Sequence, residues 1–449
     1  MWLRYNKHLQ KMPSYKICHH DDVHSMSRLV YSILFALCMP FIIIKLFWRG
    51  YKAPEYRTRK LERFGLFTTP SLKRSIWVHA VSVGEVLAAE PVIRALQKRF
   101  PDRNIVITSM TPTSSEQIYK LFGDGVFHVY APYDLPIMVN AFLRRVKPEF
   151  LIIMETELWP NMIHLARKKG CPVVIVNARL SERSANGYRR LKPAVGWMLN
   201  ELSLVLCQNK NDASRFCSLG ISGEKIHVTG SVKYDVNIVP AIHREGRQLK
   251  QALRQSQPVW IAASTHEGED ARVLAIHLQL RKFFPDAVLI LVPRHPERFD
   301  SAFELAEQVG FMTYRRTHES RIPKDADVFV VDTMGELLNF YAASDIAFIG
   351  GSLVEVGGHN PIEPGALGLP ILAGPHVFNF EAICEQLVTS GGMEVVLGEA
   401  RLLVALKQLM ADPENARKRG QYAMNEVNAS KGAVTRVVDY LAPLLVEKS

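Results

Sequence analysis

Residues 75–100 read SIWVHAVSVGEVLAAEPVIRALQKRF, followed at 104–108 by NIVIT. A short run of β-branched and apolar residues leads through a tight turn holding Gly84 and Glu85 into a longer segment of mixed pattern, and a second apolar run follows. A strand apolar at consecutive positions is covered on both faces, so the unit predicts a buried parallel strand followed by a crossover helix. The same unit recurs at FLIIM (150–154), PVVIVN (172–177) and LSLVLCQ (202–208). This alternation predicts a doubly wound α/β sheet.

The pattern restarts after a polar stretch, 237–257, which carries HREGRQLKQALRQSQ and no strand signal. New strands follow at VWIAAS (259–264), AVLILVP (287–293), DVFVVD (327–332), DIAFIGG (345–351) and PILAG (370–374). Two Rossmann-like domains result, 51–236 and 258–449, with 237–257 as their linker and helices at the carboxyl end. A chain of 449 residues is long enough for two cores. No repeat of 20–50 residues is visible.

Upstream, LVYSILFALCMPFIIIKLFW (29–48) is almost all apolar and apolar on every face, broken by Pro40 in the middle and Lys45 near the end. Its length suits a bilayer, so 26–50 reads as a membrane anchor that either spans the membrane or, bent at Pro40, lies in one leaflet. Arg49, Lys52, Arg57, Arg59, Lys60 and Arg63 follow it and supply part of a formal net charge of +11. By the positive-inside rule this cluster leaves the rest of the chain cytoplasmic, and it suits anionic phospholipid head groups. Residues 1–25 read as an upstream extension or disordered tail, and the cluster CHHDDVH (18–24) finds no second ligand set for a metal. The six cysteines are scattered without paired spacing, which indicates a reducing compartment.

Ligands of doubly wound sheets sit beyond the carboxyl ends of the strands. At the first such end stands Glu85, in the opening turn of a helix whose dipole should hold it ionised at the edge of the site; it is either a base or a helix-dipole carboxylate. After FLIIM come Glu155, Thr156 and Glu157, with Pro160 suited to a first helical turn. Thr156 or Glu157 then starts the helix, and Glu155 is the better functional candidate. Lys233, in Gly230-Ser231-Val232-Lys233, either meets a phosphate or is solvated. In the second half Pro293 and Arg294 end a strand with a guanidinium fork, Met334-Gly335-Glu336 opens a helix, and Gly350-Gly351 and Gly357-Gly358 precede Asn360-Pro361-Ile362-Glu363. There an anion-binding turn and a plain helix cap can coexist. Asp325-Ala326-Asp327 has the D-x-D form that holds a divalent ion elsewhere, but it abuts the start of a strand and reads as a turn.

WVHAVSVGE, METELWPN, GSVKYD, STHEGE, LVPRHPERF, DTMGEL, FIGGSLV and GGHNPIEPGALGLPILAGPH, in this order, resemble the bacterial 3-deoxy-D-manno-octulosonic acid (Kdo) transferases of lipid A synthesis. The likeness runs from Met26 to about Leu445. It implies a GT-B glycosyltransferase, two Rossmann-like domains facing a cleft, with an acceptor domain first and a CMP-Kdo domain second. It implies Glu85 as general base and Glu155 and Lys233 as transition-state stabilisers. Pro293, Arg294, Met334, Gly335, Glu336, Asn360, Pro361, Ile362 and Glu363 would hold the CMP moiety. The implied reaction is inverting transfer of Kdo from CMP-Kdo to the tetraacyldisaccharide lipid A precursor, lipid IVA, at the inner membrane, without a metal or other cofactor and without nucleic acid. A transferase for another nucleotide sugar, an epimerase of similar fold, and an inactive binding protein are the competing readings.

Overall fold

The computed structural model describes residues 18–446 apart from 53, 71, 73, 191, 237, 255 and 256. The chain divides into two compact units, residues 1–232 with 432–449, and residues 233–431.

The first unit is built on a seven-stranded sheet: β1 (Ser75–His79), β2 (Asn104–Ser109), β3 (Phe127–Tyr130), β4 (Pro148–Met154), β5 (Val173–Ala178), β6 (Leu204–Cys207) and β7 (Ile226–Val228). Their order is β3-β2-β1-β4-β5-β6-β7, and every neighbouring pair is parallel. The register sets His79 beside Thr108 on one side and Ile153 on the other. Every residue of β1 is buried, as its uninterrupted apolar run requires. One face of the sheet packs Trp77, Phe142 and Phe216. The other packs Val86, Val92 and Leu96 of the helix Val83–Arg99 together with Val437, Leu441 and Leu445 of the last helix, Ala433–Val446.

The second unit repeats the plan with β8 (Val259–Thr265), β9 (Val288–Pro293), β10 (Thr313–Arg315), β11 (Val328–Val330), β12 (Ile346–Ile349), β13 (Ile371–Ala373) and β14 (Met393–Val395). The order β10-β11-β9-β8-β12-β13-β14 is again wholly parallel. The chain reverses its direction of winding between β1 and β4 and between β8 and β12. Those are the two switch points at which such sheets open a crevice.

Three expectations about organisation change. The stretch 237–257 is no bare linker: it contains the helix Pro240–Leu249, which packs inside the second unit against the helix Leu337–Ala342. Gly246 lies so close to the backbone of Ala342 that an added Cβ would sit 2.7 Å from its carbonyl carbon, and Leu249 is buried, so the polar sequence hides a one-sided packing face. The boundary falls at Val232/Lys233, and the last helix belongs to the first unit because its apolar residues complete that unit's core. The amino-terminal helix runs from Cys18 to Lys52, starting within the segment read as a tail and continuing through Pro40. The side chains of the CHHDDVH cluster lie outside the described residues.

The basic cluster is also partly internal. Arg63 is 3% exposed and donates to the Met110 carbonyl at 3.0 Å, while Arg59 pairs with Glu62 at 2.7 Å and donates to the His128 carbonyl at 2.8 Å. These two arginines fasten the segment after the amino-terminal helix to the sheet.

Candidate active site

Glu85 lies in the first turn of the helix Val83–Arg99, capped by Ser82, whose hydroxyl accepts from the Glu85 amide at 3.3 Å. The carboxylate turns back: Oε2 accepts from the Val81 amide at 2.7 Å, and Ser82 donates to Oε1 at 3.1 Å. The residue is buried rather than at an edge. Burial, joined by the like charges of Glu157 and Glu155, outweighs the bonds from Val81 and Ser82 and pushes the carboxyl up to about 7. The helix dipole therefore does not keep it fully ionised, because removal from water penalises the charged form more strongly. A surface helix-dipole carboxylate would titrate low; this one is set near neutrality.

Glu155 follows β4, the strand paired with β1, so both acids stand at the first switch point. Its backbone is left-handed, φ 56°, and its amide bonds the Val176 carbonyl at 2.9 Å. A non-glycine residue held there costs on the order of 1–3 kcal/mol, which the surroundings must sustain. The helix that follows begins at Pro160. Neither Thr156 nor Glu157 caps it: the Thr156 hydroxyl bonds the Arg179 carbonyl, and Glu157 accepts from the Trp159 indole at 3.1 Å. The cap comes from elsewhere, since buried Asp134 accepts from the amides of Asn161 at 3.0 Å and Met162 at 2.7 Å.

Two residues without a role in the sequence reading also border this switch point. His79, at the end of β1, has its Nδ1 2.8 Å from the Thr108 hydroxyl, and burial pushes its imidazole down to about 3. Asn177 is left-handed at φ 57° and accepts from the Val232 amide at 3.2 Å. His79 Nε2 and Asn177 Nδ2 are buried without a hydrogen-bond partner among the described residues. Only the burial of these strands on both faces, extended to their polar residues, could have flagged them.

In the second unit, Arg294 follows β9 and its amide bonds the Thr265 carbonyl at 3.0 Å. His266 and His359, both within the quoted motifs, stack 5.1 Å apart with their Nε2 atoms at 2.8 Å, and His295 meets His266 edge-on at 5.3 Å. Burial, then the charge of Arg294, pushes the His359 imidazole down to about 4. Asn360 donates to Glu363 at 3.2 Å and accepts from the Ile362 amide at 3.0 Å, so Asn360 alone takes a first-turn amide of the short helix Ile362–Ala366, while Glu363 bonds Asn360 and no backbone amide. Burial raises the Glu363 carboxyl. Glu336 instead takes a two-pronged bond from Arg316, at 3.2 and 2.8 Å, and one from Thr333, at the mouth of the helix Leu337–Ala342. Met334 is exposed beside it, and Pro293 is buried as the last residue of β9.

Beneath these groups is Glu269, fully buried. Its two oxygens accept from the amides of His266 (2.9 Å), Gly351 (2.6 Å), Ser352 (3.1 Å) and Leu353 (2.9 Å), tying the loop after β8 to the loop after β12 at the second switch point. Gly351 is left-handed at φ 68°, and a Cβ on Gly350 would meet the Ser264 carbonyl oxygen at 2.5 Å, so this approach needs both glycines.

Lys233 opens the second unit, its ammonium 5.5 Å from the centre of the Phe380 ring. Asp325 accepts from the Tyr314 hydroxyl at 3.0 Å and Asp327 pairs with Arg281 at 2.5 Å, both ahead of β11, so the D-x-D residues are engaged in holding a turn. Among the described residues no group of three or more His, Cys, Asp or Glu side chains is gathered as a metal site.

Residues 58–236 match the family described as 3-Deoxy-D-manno-octulosonic-acid transferase (kdotransferase). The chain is 41% identical to a 3-deoxy-D-manno-octulosonic acid transferase of Haemophilus influenzae, covering 94% of this chain and 99% of that one. It is 34% identical to a protein of the same description from Bordetella pertussis, over 93% and 99%. A UDP-GlcNAc 2-epimerase from Neisseria meningitidis is similar at the level of fold, with a TM-score of 0.56 and 15% identity over 82% of this chain and all of that one. Two parallel seven-stranded units of this kind are the GT-B architecture. On the strength of a likeness spanning nearly its whole length, the chain belongs to the Kdo transferases, the glycosyltransferases that move Kdo in lipopolysaccharide biosynthesis.

Proposed function

We propose that the enzyme takes Kdo from CMP-Kdo and attaches it to lipid IVA at the cytoplasmic face of the inner membrane, inverting the anomeric carbon. The observation that carries this reading is the buried Glu85 carboxyl, pushed up to about 7. A base poised near the working pH both exists in its charged form and drives proton transfer. In the step, the acceptor hydroxyl loses its proton to Glu85 while its oxygen bonds the anomeric carbon. The bond from that carbon to the phosphate oxygen of CMP breaks, and its electron pair leaves with the phosphate. A single displacement inverts the centre.

Glu155 and Lys233 are assigned to the stabilisation of charge in the transition state. Arg294 meets the single phosphate of the donor, and Pro293, Met334, Gly335, Glu336 and Asn360 to Glu363 surround the rest of CMP. Burial first, and then the charge of Arg294, lowers the proton affinity of His359, so Arg294 is the cation assigned to the anionic donor here. Guanidinium, ammonium and helix amino-termini suffice for one phosphate, so no metal enters the proposal. The apolar amino-terminal helix holds the enzyme at the lipid surface where the acceptor resides.

The test is the full chain with lipid IVA vesicles and CMP-Kdo. Mass spectrometry is expected to show the acceptor heavier by one or more Kdo residues, and NMR an anomeric configuration opposite to the donor's. An unmodified acceptor overturns the substrate assignment; a retained configuration overturns the single displacement.

A further inference from the structure

We infer that the amino-terminal helix lies in the plane of one leaflet, docked lengthwise on the first unit, and does not cross the bilayer. The inference rests on the membrane reading above and adds its geometry. By sequence the helix is apolar all round; the fold makes it two-sided. Met39 and Leu46 are covered, at 7% and 8% exposure, while Leu37, Phe41 and Ile44 on the opposite side are 66%, 74% and 64% exposed. Ser32, Met39 and Leu46 recur at sevens, which is one stripe of a helix.

Both ends of that stripe are held by the folded unit. Near the amino end, Asn161 donates to the Ser32 hydroxyl at 3.0 Å and to the Asp134 carbonyl at 2.7 Å, and the Tyr31 hydroxyl bonds the Asp134 carboxylate. Near the other end, the Lys60 ammonium sits 4.5 Å from the centre of the Phe47 ring, and Arg59, next in the chain, is bound to His128 of β3. The helices Pro160–Lys168 and Lys192–Asn200 also pack against this helix. From Ser32 to Phe47 the axis rises by about 22 Å at 1.5 Å per residue. A crossing helix carries its ends through a hydrocarbon core of about 30 Å. Keeping both attachments while crossing would draw the Asp134 carboxyl and the first turn of the helix Pro160–Lys168 into lipid, where polar groups are costly. Lying flat, the helix leaves those groups in protein and sinks only its open side.

The occupant of that open side is a lipid leaflet. Lys45 and Arg49 are exposed on the same helix, with stems long enough to reach head groups from an immersed face. The attachment point also has a consequence for the reaction. Asn161 lies in the first turn of the helix that follows the Glu155–Trp159 loop, so the leaflet holding the acyl chains borders the acidic end of the acceptor unit.

The experiment uses the full chain with a short neutral tag at its amino terminus and another at its carboxyl terminus, expressed in a Gram-negative host. Protease added to inverted inner-membrane vesicles is expected to remove both tags, and protease added to right-side-out spheroplasts to remove neither. Loss of the amino-terminal tag in spheroplasts alone means a crossing helix and overturns the inference while sparing membrane attachment. Flotation of purified chain with phosphatidylethanolamine–phosphatidylglycerol vesicles is the second arm. Leu37→Asp with Phe41→Asp is expected to cut the floated fraction at least tenfold at an unchanged melting temperature. Wild-type chain that fails to float and instead self-associates with rising concentration overturns both the membrane reading and the inference, since a second copy would then cover the open side.

Discussion

At the scale of single residues, Glu85 carries two opposed effects, a helix terminus that favours its charge and burial beside Glu157 and Glu155 that disfavours it, and burial wins. The sign for stability follows. With the folded carboxyl near 7 against an ordinary 4.5, the native state holds the extra proton between those values, so stability falls as pH rises through that window. The full cost, on the order of 3 kcal/mol, applies above pH 7. Glu85→Gln removes it and keeps an acceptor for the Val81 amide. The variant is therefore expected to melt higher than wild type at pH 8 and to lose transfer by about 10²- to 10⁴-fold. Wild-type kcat/KM should rise with pH through about 7 and then level. Calorimetry and turnover on one preparation check this; near-normal transfer by the Gln variant moves the base to Glu155. That Glu85 stood in the first helical turn was legible in the sequence. How far it is removed from water was not, because its burial and the nearby charges of Glu155 and Glu157 depend on residues about 70 positions away.

At the scale of elements, the glycine loop after β12 has its shape from Glu269, whose contacts to Gly351, Ser352 and Leu353 span 82 to 84 positions of sequence. Read linearly, STHEGE was one of the segments that carry the family resemblance, with no role read for Glu269. Glu269→Gln keeps the volume but turns an NH2 group toward backbone amides, leaving at least one donor unsatisfied at about 1–3 kcal/mol. Its expected effect is a donor KM raised about tenfold or more with the acceptor KM unchanged, read from steady-state kinetics and from calorimetric titration with CMP. An unchanged affinity for CMP would show that the loop holds its shape without the tie. The polar segment after Lys233 gives the same lesson, since its amphipathic helix is recognisable only once the helix Leu337–Ala342 supplies a partner.

At the scale of the molecule, the last helix returns to the first unit, so that unit's core contains residues from both ends of the chain. Leu441 is fully buried there. Leu441→Ala is expected to cost about 2–5 kcal/mol and to lower the melting of the first unit while leaving the second unchanged. Hydrogen exchange with peptide resolution separates the two: faster exchange in β1, β4 and the helix Val83–Arg99, with β8, β9 and β12 unaffected. Faster exchange confined to 233–431 would assign the last helix to the wrong core.

Strand and helix periods are local properties, so the residue order alone determined the two doubly wound sheets, the apolar amino-terminal helix and the resemblance to Kdo transferases. Burial and electrostatics are sums over neighbours distant in the chain, and these only the tertiary structure decided. Asp134, not Thr156 or Glu157, caps the helix at Pro160; Arg59 and Arg63 bond carbonyls of the first unit; and His266 meets His359 across 93 positions. The unit boundary and the two-sidedness of the amino-terminal helix belong to the same class. Each depends on which surface covers a side chain, and a linear pattern of apolar residues does not name its partner.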